Sequence, residues 1–272
     1  MRFVYPNSLL NPKAVDEFFA DEAAAVDGPR VALWDAAEGR LLERQLPVAG
    51  ETIAYRGWIL GKDGYRRLAD AIEAKGATPW VSADGYARSQ FLDGWIDAME
   101  GVTPRSVVAP LDIPDERLAD MVADRLGDGR YVVKGLSKSA KDDWANAMYV
   151  SSPLDLPRVV GNLRERISGE EDALVVREFV PLLADELRLW WVEGACVQTR
   201  NHPQSRPDVL DTTELDGFVR VLGERVADLA VPFVTTDVTR DQDGRWWLVE
   251  VGSGCVSEMP AGMGVDDLFA PR

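Results

Sequence analysis

The sequence is poor in the side chains that most often carry covalent or metal chemistry. Among its 272 residues there are two cysteines, Cys196 and Cys255, and one histidine, His202. Two cysteines are too few for a disulfide framework, and neither lies in a metal-spaced cluster. A His/Cys zinc site and a Ser-His-Asp triad are therefore poor hypotheses for this chain.

Positive charge is also scarce, because 30 Lys and Arg face 46 Asp and Glu and give a formal net charge of −16 at pH 7. Such a field repels polyanions, so we expect no nucleic-acid partner and no anionic membrane partner. No apolar run reaches the roughly 20 residues that cross a bilayer, and the first residues do not form a signal peptide. We therefore expect a cytoplasmic protein that gathers its few cations locally if it binds phosphate.

The chain divides into two regions with different patterns. The first 109 residues alternate short apolar strands with helical patterns, which predicts an α/β domain with a mainly parallel sheet. The predicted helices of this region cover 12–25, 62–75 and 84–99. From residue 110 onward a series of strands predicts an α+β domain with antiparallel pairing, so we expect two domains, 1–109 and 110–272.

Two acids, Asp237 and Glu250, end two successive predicted strands that a polar turn at 241–244 separates. A hairpin of this kind brings both carboxylates to one rim of a sheet, where hard oxygens hold Mg²⁺ against phosphates. The alternative is that both acids are solvated strand ends. The pair therefore predicts a nucleotide–metal site with that alternative still open.

Three lysines, Lys134, Lys138 and Lys141, fall within eight residues where the predicted strand 131–134 runs into a loop. The glycine and serines between them give flexibility and hydroxyl donors where phosphate oxygens would lie. The loop lacks the spacing of a P-loop. It is either a phosphate-binding loop or a solvated lysine turn.

The predicted strand 174–180 leads into Pro181, where backbone N–H and C=O groups could pair with the edge of an adenine. Glu186 and Arg188 follow on the next predicted strand and share a face, because they are two residues apart. A glutamate suits ribose hydroxyls and an arginine suits a triphosphate. Arg200 ends the following strand and could reach the same region. The alternative is an exposed charged face.

Taken in chain order, these features resemble the ATP-grasp superfamily, in which two α+β subdomains hold ATP between them, and more closely its R-two-K clade. The likeness to the clade rests on segments 55–60, 103–106, 133–141 and 249–257. It implies a fold of α/β plus α+β type, with an N-terminal Rossmann-like (pre-ATP-grasp) domain at 1–109 and an ATP-grasp domain at 110–272. Within the second domain it implies a lysine-bearing subdomain at 110–180 and a metal-bearing subdomain at 181–272.

The resemblance further implies an ADP-forming carboxylate–amine (or thiol) ligase that uses ATP and Mg²⁺. By position, the resemblance implies that Lys134 and Lys138 bind the ATP phosphates, and that Glu178, Phe179 and Val180 bind the adenine. It implies that Glu186 binds the ribose and that Arg188, Lys138 and Arg200 act on the transferring phosphoryl group. Mg²⁺ is implied to bind to Asp237 and Glu250. Many ATP-grasp enzymes carry Glu-x-Asn where this chain has Glu250-Val251-Gly252. The number of magnesium ions therefore stays open.

Arg56, which ends an N-terminal strand before Gly57, is the candidate clamp for a substrate carboxylate, because its bidentate fork fits that group. The alternative is a structural arginine packed by Trp58. Small-molecule and peptide carboxylates and amines are both open as substrates, and the oligomeric state is not specified. An ATP-grasp kinase and a catalytically silent ATP-binding module stay open as other functions.

Overall fold

Three β-sheets organise the part of the chain that the computed structural model describes, which is residues 1–26, 28–42, 47–137, 143–167, 171–206, 211–260 and 263–268. The first sheet has five strands, and the other two have four each. Seven α-helices within the described residues pack against the sheets. None of these helices is long and apolar enough to cross a membrane.

The N-terminal sheet is the mainly parallel one that the sequence predicts. Its strands are β1 (Arg2–Pro6), β2 (Val31–Asp35), β3 (Arg40–Leu41), β4 (Thr52–Tyr55) and β5 (Thr78–Pro79). They lie in the order β3-β2-β1-β4-β5, and of the four pairings only β2 with β3 is antiparallel. Val4, Trp34 and Tyr55 are buried in the core that this sheet shares with its helices.

Two of the three predicted N-terminal helices have the wrong extent. The helices are α1 (Ala20–Ala24), α2 (Lys62–Glu73), α3 (Ala83–Gln90) and α4 (Leu92–Trp95). The segment 12–25 forms only α1 and a preceding 3-10 turn, which begins where the Asp16 carboxylate accepts the Phe18 N–H. The prediction over 84–99 fails at Phe91, where the backbone is extended and the Leu92 N–H donates to the Leu136 carbonyl at 3.2 Å.

The central sheet is antiparallel and carries Lys134. Its strands, β6 (Ser106–Pro110), β7 (Tyr131–Gly135), β8 (Tyr149–Val150) and β9 (Ala173–Glu178), lie in the order β6-β9-β7-β8. One face packs against α5 (Asp115–Leu126) and α6 (Leu156–Arg164) in a core of its own. Val132 lies opposite Arg177, and Lys134 opposite Val175, so Lys134 and Arg177 share the other face.

The strand β6 belongs to the central sheet by its hydrogen bonds. It pairs with β9 over its whole length, from Ser106 opposite Arg177 to Pro110 opposite Ala173. The sequence pattern predicts this segment within the N-terminal domain, because strand pairing over a long separation leaves no local pattern. The division of the chain after residue 109 stays a prediction.

The C-terminal sheet is also antiparallel. It shares its core with the N-terminal unit, which is the first sheet with the helices α1 to α4. Its strands, β10 (Leu187–Val192), β11 (Ala195–Asn201), β12 (Phe233–Arg240) and β13 (Trp246–Ser253), lie in the order β11-β10-β12-β13, and α7 (Leu215–Asp228) precedes β12. Trp190 and Phe233 belong to the same buried cluster as Tyr55 and Trp95. The first and third sheets are therefore packed together through one apolar core.

Candidate functional site

Four ionisable side chains form a row across the C-terminal sheet. Arg200 of β11 lies opposite Arg188 of β10, Arg188 opposite Asp237 of β12, and Asp237 opposite Glu250 of β13. Residues directly opposite one another in antiparallel strands project to the same face, so all four side chains share one face. The register thus unites four residues that the sequence analysis selected from separate segments.

The two acids of the row lie inside their strands and not at the strand ends that the sequence predicts. β12 continues beyond Asp237 to Arg240, and β13 continues beyond Glu250 to Ser253. The strands continue because Val238 and Val251, which follow the two acids, are fully buried. The predicted hairpin is present, and it pairs Asp237 with Glu250.

A β-bulge in β13 determines which face Glu250 occupies. Asp237 pairs with Glu250 but the next pair is Val238 with Leu248, so Val249 is an extra residue in β13. In a regular strand Leu248 and Glu250 would share a face because they are two apart. The bulge lets Leu248 enter the core while Glu250 lies beside Asp237.

Arg188 and Asp237 form a buried two-point ion pair. Arg188 Nε lies 2.8 Å from Asp237 Oδ1, and Nη2 lies 2.9 Å from Oδ2. The remaining nitrogen, Nη1, donates to the Glu258 carbonyl at 3.4 Å. Burial acts to lower the pKa of Arg188, but the hydrogen bonds and charge of Asp237 outweigh burial and raise it. The guanidinium is thus a fixed cation in the middle of the row.

Lys134 approaches the row from the central sheet. Its Nζ lies 4.0 Å from Glu250 Oε1, and the residue is 7% exposed. This contact connects β7 of the central sheet with β13 of the C-terminal sheet. The second predicted phosphate lysine, Lys138, lies outside the described residues.

Glu171 binds the two residues that directly follow β7. Its carboxylate accepts the backbone N–H groups of Leu136 at 2.7 Å and Ser137 at 3.2 Å, and the Ser137 hydroxyl at 2.8 Å. A Cβ on Gly135 would meet Glu171 Oε2, so a larger residue there would require the carboxylate to move. Glu171 is not among the site residues that the sequence predicts, because no local pattern separates it from a solvated acid.

The predicted adenine segment keeps one backbone donor without a partner among the described residues. The N–H of Glu178 donates to the Arg105 carbonyl and that of Phe179 to the Arg130 carbonyl, both at 2.9 Å. The Glu178 carboxylate is also engaged, since Arg105 donates to it from its backbone N–H at 2.7 Å and from Nε at 2.8 Å. Only the Val180 N–H remains for a ligand in this part of the described chain.

His202 lies beside the row, although no sequence pattern predicts this position. One atom each of Glu186, His202 and Asp237 lie within 4.8 Å of one another, and His202 Nε2 is 3.7 Å from Asp237 Oδ2. His202 Nδ1 accepts the Gln204 N–H at 3.2 Å, which assigns the proton of the neutral imidazole to Nε2. The ring therefore presents an N–H to the carboxylates, and we do not count it among the metal ligands.

Arg56 lies apart from the row, and a carboxylate of the chain itself occupies its fork. Nε is 2.7 Å from Glu22 Oε1, Nη2 is 2.8 Å from Oε2, and Nη1 donates to the Gly254 carbonyl. The residue is 1% exposed, and its guanidinium lies 5.7 Å from the Trp190 ring. A substrate carboxylate would have to displace Glu22. These contacts favour the structural alternative for Arg56, with Glu22 in place of Trp58 as its main partner.

Two surface cavities lie away from the row. One of about 610 Å³ is lined by residues of α7 and the β12–β13 hairpin, including Phe218 and Trp246. The other, of about 680 Å³, lies beside Arg2 and Trp80 of the N-terminal unit. Neither is lined by a residue of the row, so charge and strand register identify the candidate site, and cavity volume does not.

The acids of the row have the donor chemistry that Mg²⁺ requires. Asp237 and Glu250 present hard carboxylate oxygens from neighbouring strands. Asp237 is paired with Arg188, whereas the Glu250 side chain is 38% exposed and has the longer contact to Lys134. The pair therefore fits an ion that keeps water or phosphate oxygens as its other ligands.

Three solved structures are similar in fold to this protein over nearly the whole chain. D-cycloserine synthetase DcsG has a TM-score of 0.67 at 12% identity and covers 99% of this chain and 96% of its own. The D-alanine–D-alanine ligase of Coxiella burnetii has 0.63 at 12%, with 99% and 93% covered. A RimK domain ATP-grasp protein of Sphaerobacter thermophilus has 0.61 at 19%, with 98% and 96% covered. At such identities the likeness shows the fold alone.

Sequence comparison places the row and Lys134 inside one family domain. No curated protein sequence matches the chain significantly. The sequence profile of the ATP-grasp domain, R2K clade family 3, matches residues 125–270, which is more than half of the chain. The ATP-grasp fold that the sequence predicts is thus confirmed, and the chain belongs to the R2K clade family 3 of ATP-grasp domains.

Proposed function

We propose that this protein is an ATP-dependent carboxylate–amine (or thiol) ligase that releases ADP and works through an acyl phosphate. The observation that carries the proposal is the row of Arg188, Asp237 and Glu250, with Lys134 4.0 Å from Glu250. Phosphoryl transfer depends mainly on positioning and on neutralised charge, which such a surface supplies. The likeness to the D-alanine–D-alanine ligase and to D-cycloserine synthetase supports a ligase.

In this proposal the cations around the row bind the phosphates. Lys134 donates to phosphate oxygens as a point charge, and Arg188, fixed by Asp237, faces the transferring phosphoryl group. Arg200 lies opposite Arg188 on the same face and adds a third cation. Lys138 follows Lys134 by four residues and has the same proposed role.

Asp237 and Glu250 hold magnesium in this proposal, with their oxygens on the same face as Arg188. Bound Mg²⁺ supplies further neutralisation of the phosphate charge. The Val180 N–H is the donor proposed for the adenine edge, beside Glu178 and Phe179. Glu186, whose carboxylate lies near Asp237, is proposed for the ribose hydroxyls.

The reaction that this surface supports has two steps. A substrate carboxylate oxygen attacks the γ-phosphorus, the bond from that phosphorus to the bridging oxygen breaks, and ADP leaves. The amine nitrogen then attacks the acyl carbon, the carbon–oxygen bond to phosphate breaks, and inorganic phosphate and a proton are released. The residues of the chain contribute position and charge, so no nucleophilic side chain is required. Small-molecule and peptide substrates both fit this scheme.

A screen of paired acids and amines tests the proposal, with ADP, free phosphate and amide measured together. The expected result is ADP and phosphate released in step with amide, and a hydroxamate when hydroxylamine replaces the amine. Glu250→Gln serves as the matched control and should lose all three products. ADP appearing one for one with a stable phosphorylated product, without free phosphate, would show a kinase instead. ATP binding without ADP release across the panel would show a silent module.

A further inference from the structure

One buried arginine that the proposed chemistry does not use, Arg177, joins the central sheet to the strand that carries Glu250. It belongs to β9, shares a sheet face with Lys134, and is 8% exposed. Its Nη1 donates to the Val249 carbonyl at 2.8 Å, and its Nη2 donates to the Thr103 hydroxyl. A side chain of the lysine-bearing sheet therefore holds the backbone of the C-terminal sheet.

The carbonyl that Arg177 holds belongs to the bulge, and the hydroxyl that it holds binds the carbonyl before it. Val249 is the extra residue of β13, so its carbonyl lies where the ladder with β12 is interrupted. The Thr103 hydroxyl, which accepts from Arg177, donates in turn to the Leu248 carbonyl at 2.9 Å, and the Leu248 N–H donates to the Val102 carbonyl at 2.8 Å. Arg177 and Thr103 thus satisfy the two backbone acceptors that precede Glu250.

The charge of Arg177 is costly to bury, and no carboxylate salt-bridges it within the described residues. Burial lowers its pKa to about 10, against the opposing charges of Glu250 and Glu178, so it stays charged at neutral pH. Its Nε has no hydrogen-bond partner among the described groups. A buried charge without a paired carboxylate does not favour stability. What its geometry provides is a fixed position for Val249.

We infer that Arg177 is a positioning residue for the proposed magnesium site. By holding the Val249 carbonyl and orienting Thr103, it maintains the bulge that puts the Glu250 carboxylate opposite Asp237. Because Arg177 belongs to the same sheet as Lys134, its bond to Val249 also holds β13 at a fixed distance from Lys134. The inference rests on the proposed function of Glu250 as a magnesium ligand.

The test compares ATP affinity by calorimetry with saturating Mg²⁺ and with EDTA, and the ratio of the two affinities is the magnesium gain. Arg177→Lys keeps the charge but cannot reach both acceptors, and Thr103→Val removes the hydroxyl at nearly constant volume. Loss of a group that orients a metal ligand typically lowers metal affinity 10–100-fold. The magnesium gain of both variants should therefore be about tenfold smaller than that of the parent, while their ATP affinity in EDTA stays at the parent value.

Two variants serve as controls. Thr103→Ser keeps the hydroxyl and should retain the parent's magnesium gain. Arg164 also holds backbone carbonyls, those of Leu111 at 2.8 Å and Ile113 at 2.6 Å, but lies away from the row. Arg164→Lys should lower the melting temperature while the magnesium gain stays at the parent value.

The outcomes separate the inference from the function on which it rests. A parent-like magnesium gain in Arg177→Lys and Thr103→Val would overturn the positioning role while leaving the nucleotide site intact. Equal losses in Thr103→Ser and Thr103→Val would also overturn it, because packing and not the hydroxyl would then be responsible. If the parent itself binds no ATP, the proposed function fails and the inference fails with it. The serine–valine pair keeps the test decisive should Arg177→Lys not fold.

Discussion

The described part of the chain contains two buried arginine–carboxylate pairs, Arg188–Asp237 on the C-terminal sheet and Arg56–Glu22 in the N-terminal unit. Both are bidentate, with nitrogen–oxygen distances of 2.8 and 2.9 Å in the first and 2.7 and 2.8 Å in the second. In both, the carboxylate raises the pKa of the arginine against the effect of burial. Pair geometry and burial alone do not tell a functional arginine from a structural one.

The surroundings of the two pairs differ. Arg188 also lies in the field of the Glu250 and Glu186 carboxylates, so one guanidinium faces three acids. Arg56 has Glu22 as its acid, and its other electrostatic neighbours include Tyr5 and Cys255, of types uncharged at pH 7. Excess negative charge from carboxylates around a paired arginine favours binding of a further cation. A pair whose two charges cancel, with no further acid beside it, is typical of a structural pair in a core. This contrast makes the row the candidate site.

Among the variants that distinguish the two pairs, Glu22→Gln should have the largest effect on stability. It leaves the Arg56 charge buried without a carboxylate, so the free energy of unfolding should fall by about 3–5 kcal/mol. Asp237→Asn is the matched variant, and there Arg188 keeps the Glu250 and Glu186 charges. Its loss should be smaller, about 1–2 kcal/mol, as for one charged hydrogen-bond partner. Urea denaturation of both variants measures the difference, and equal losses would mean that the two pairs are alike.

Arg188→Lys should reverse the order of effects, with a large loss of turnover and a small loss of stability. Lysine keeps the charge but not the planar fork that Asp237 fixes. Losing one oriented donor at the transferring group should lower kcat about 10²–10³-fold, or about 2.7–4 kcal/mol. The measurement is ADP release with the acid and amine found in the screen. Turnover within about twofold of the parent would remove Arg188 from the reaction.

The sequence predicted the parts of the site that depend on local pattern. Alternating apolar residues predict the β12–β13 hairpin, and the spacing of two residues places Glu186 and Arg188 on one face. The resemblance in chain order then supplied the fold, which the family profile confirms. The first two predictions use residues within one or two strands, whereas the resemblance uses four segments spread along the chain.

What the sequence did not show depends on contacts between distant segments. Glu22 is 34 residues from Arg56, and Glu171 is 34 residues from Ser137, so packing of separate elements brings each pair together. The Val249 bulge shifts the register by one residue, which an alternation pattern does not detect. These features arise from tertiary packing, and the misplaced strand ends of Asp237 and Glu250 have the same origin.

Lys134→Ala should weaken ATP binding by about 1.5–3 kcal/mol, which is about tenfold or more, because a charge-assisted hydrogen bond to phosphate is lost. Lys62→Ala is the control, since Lys62 forms an exposed ion pair with Asp93 at 2.9 Å in the N-terminal unit. Calorimetry with Mg-ATP should show a change in the first variant only. Parent-like affinity in Lys134→Ala would make Lys134 a structural partner of Glu250.

The labelling rates of the two cysteines measure the packing around Arg56, and we expect the smallest effect there. Cys255 is fully buried beside Arg56, and burial raises the pKa of its thiol, whereas Cys196 is partly exposed. A thiol reagent at pH 8 should therefore modify Cys196 well before Cys255. Glu22→Gln should speed the labelling of Cys255, and Asp237→Asn should not. Equal labelling rates of the two thiols in the parent would contradict the packing described around Arg56.

The most direct test of the central claim is the effect of Mg²⁺ on ATP binding in the parent and in Glu250→Gln. If the row is the nucleotide–metal site, calorimetry should show tighter ATP binding with Mg²⁺ than with EDTA in the parent. Most of that gain should disappear in the variant, while the melting temperature stays near the parent value because the Glu250 side chain is 38% exposed. The same ATP heats in the parent with and without Mg²⁺, or a full magnesium gain in Glu250→Gln, would contradict the account.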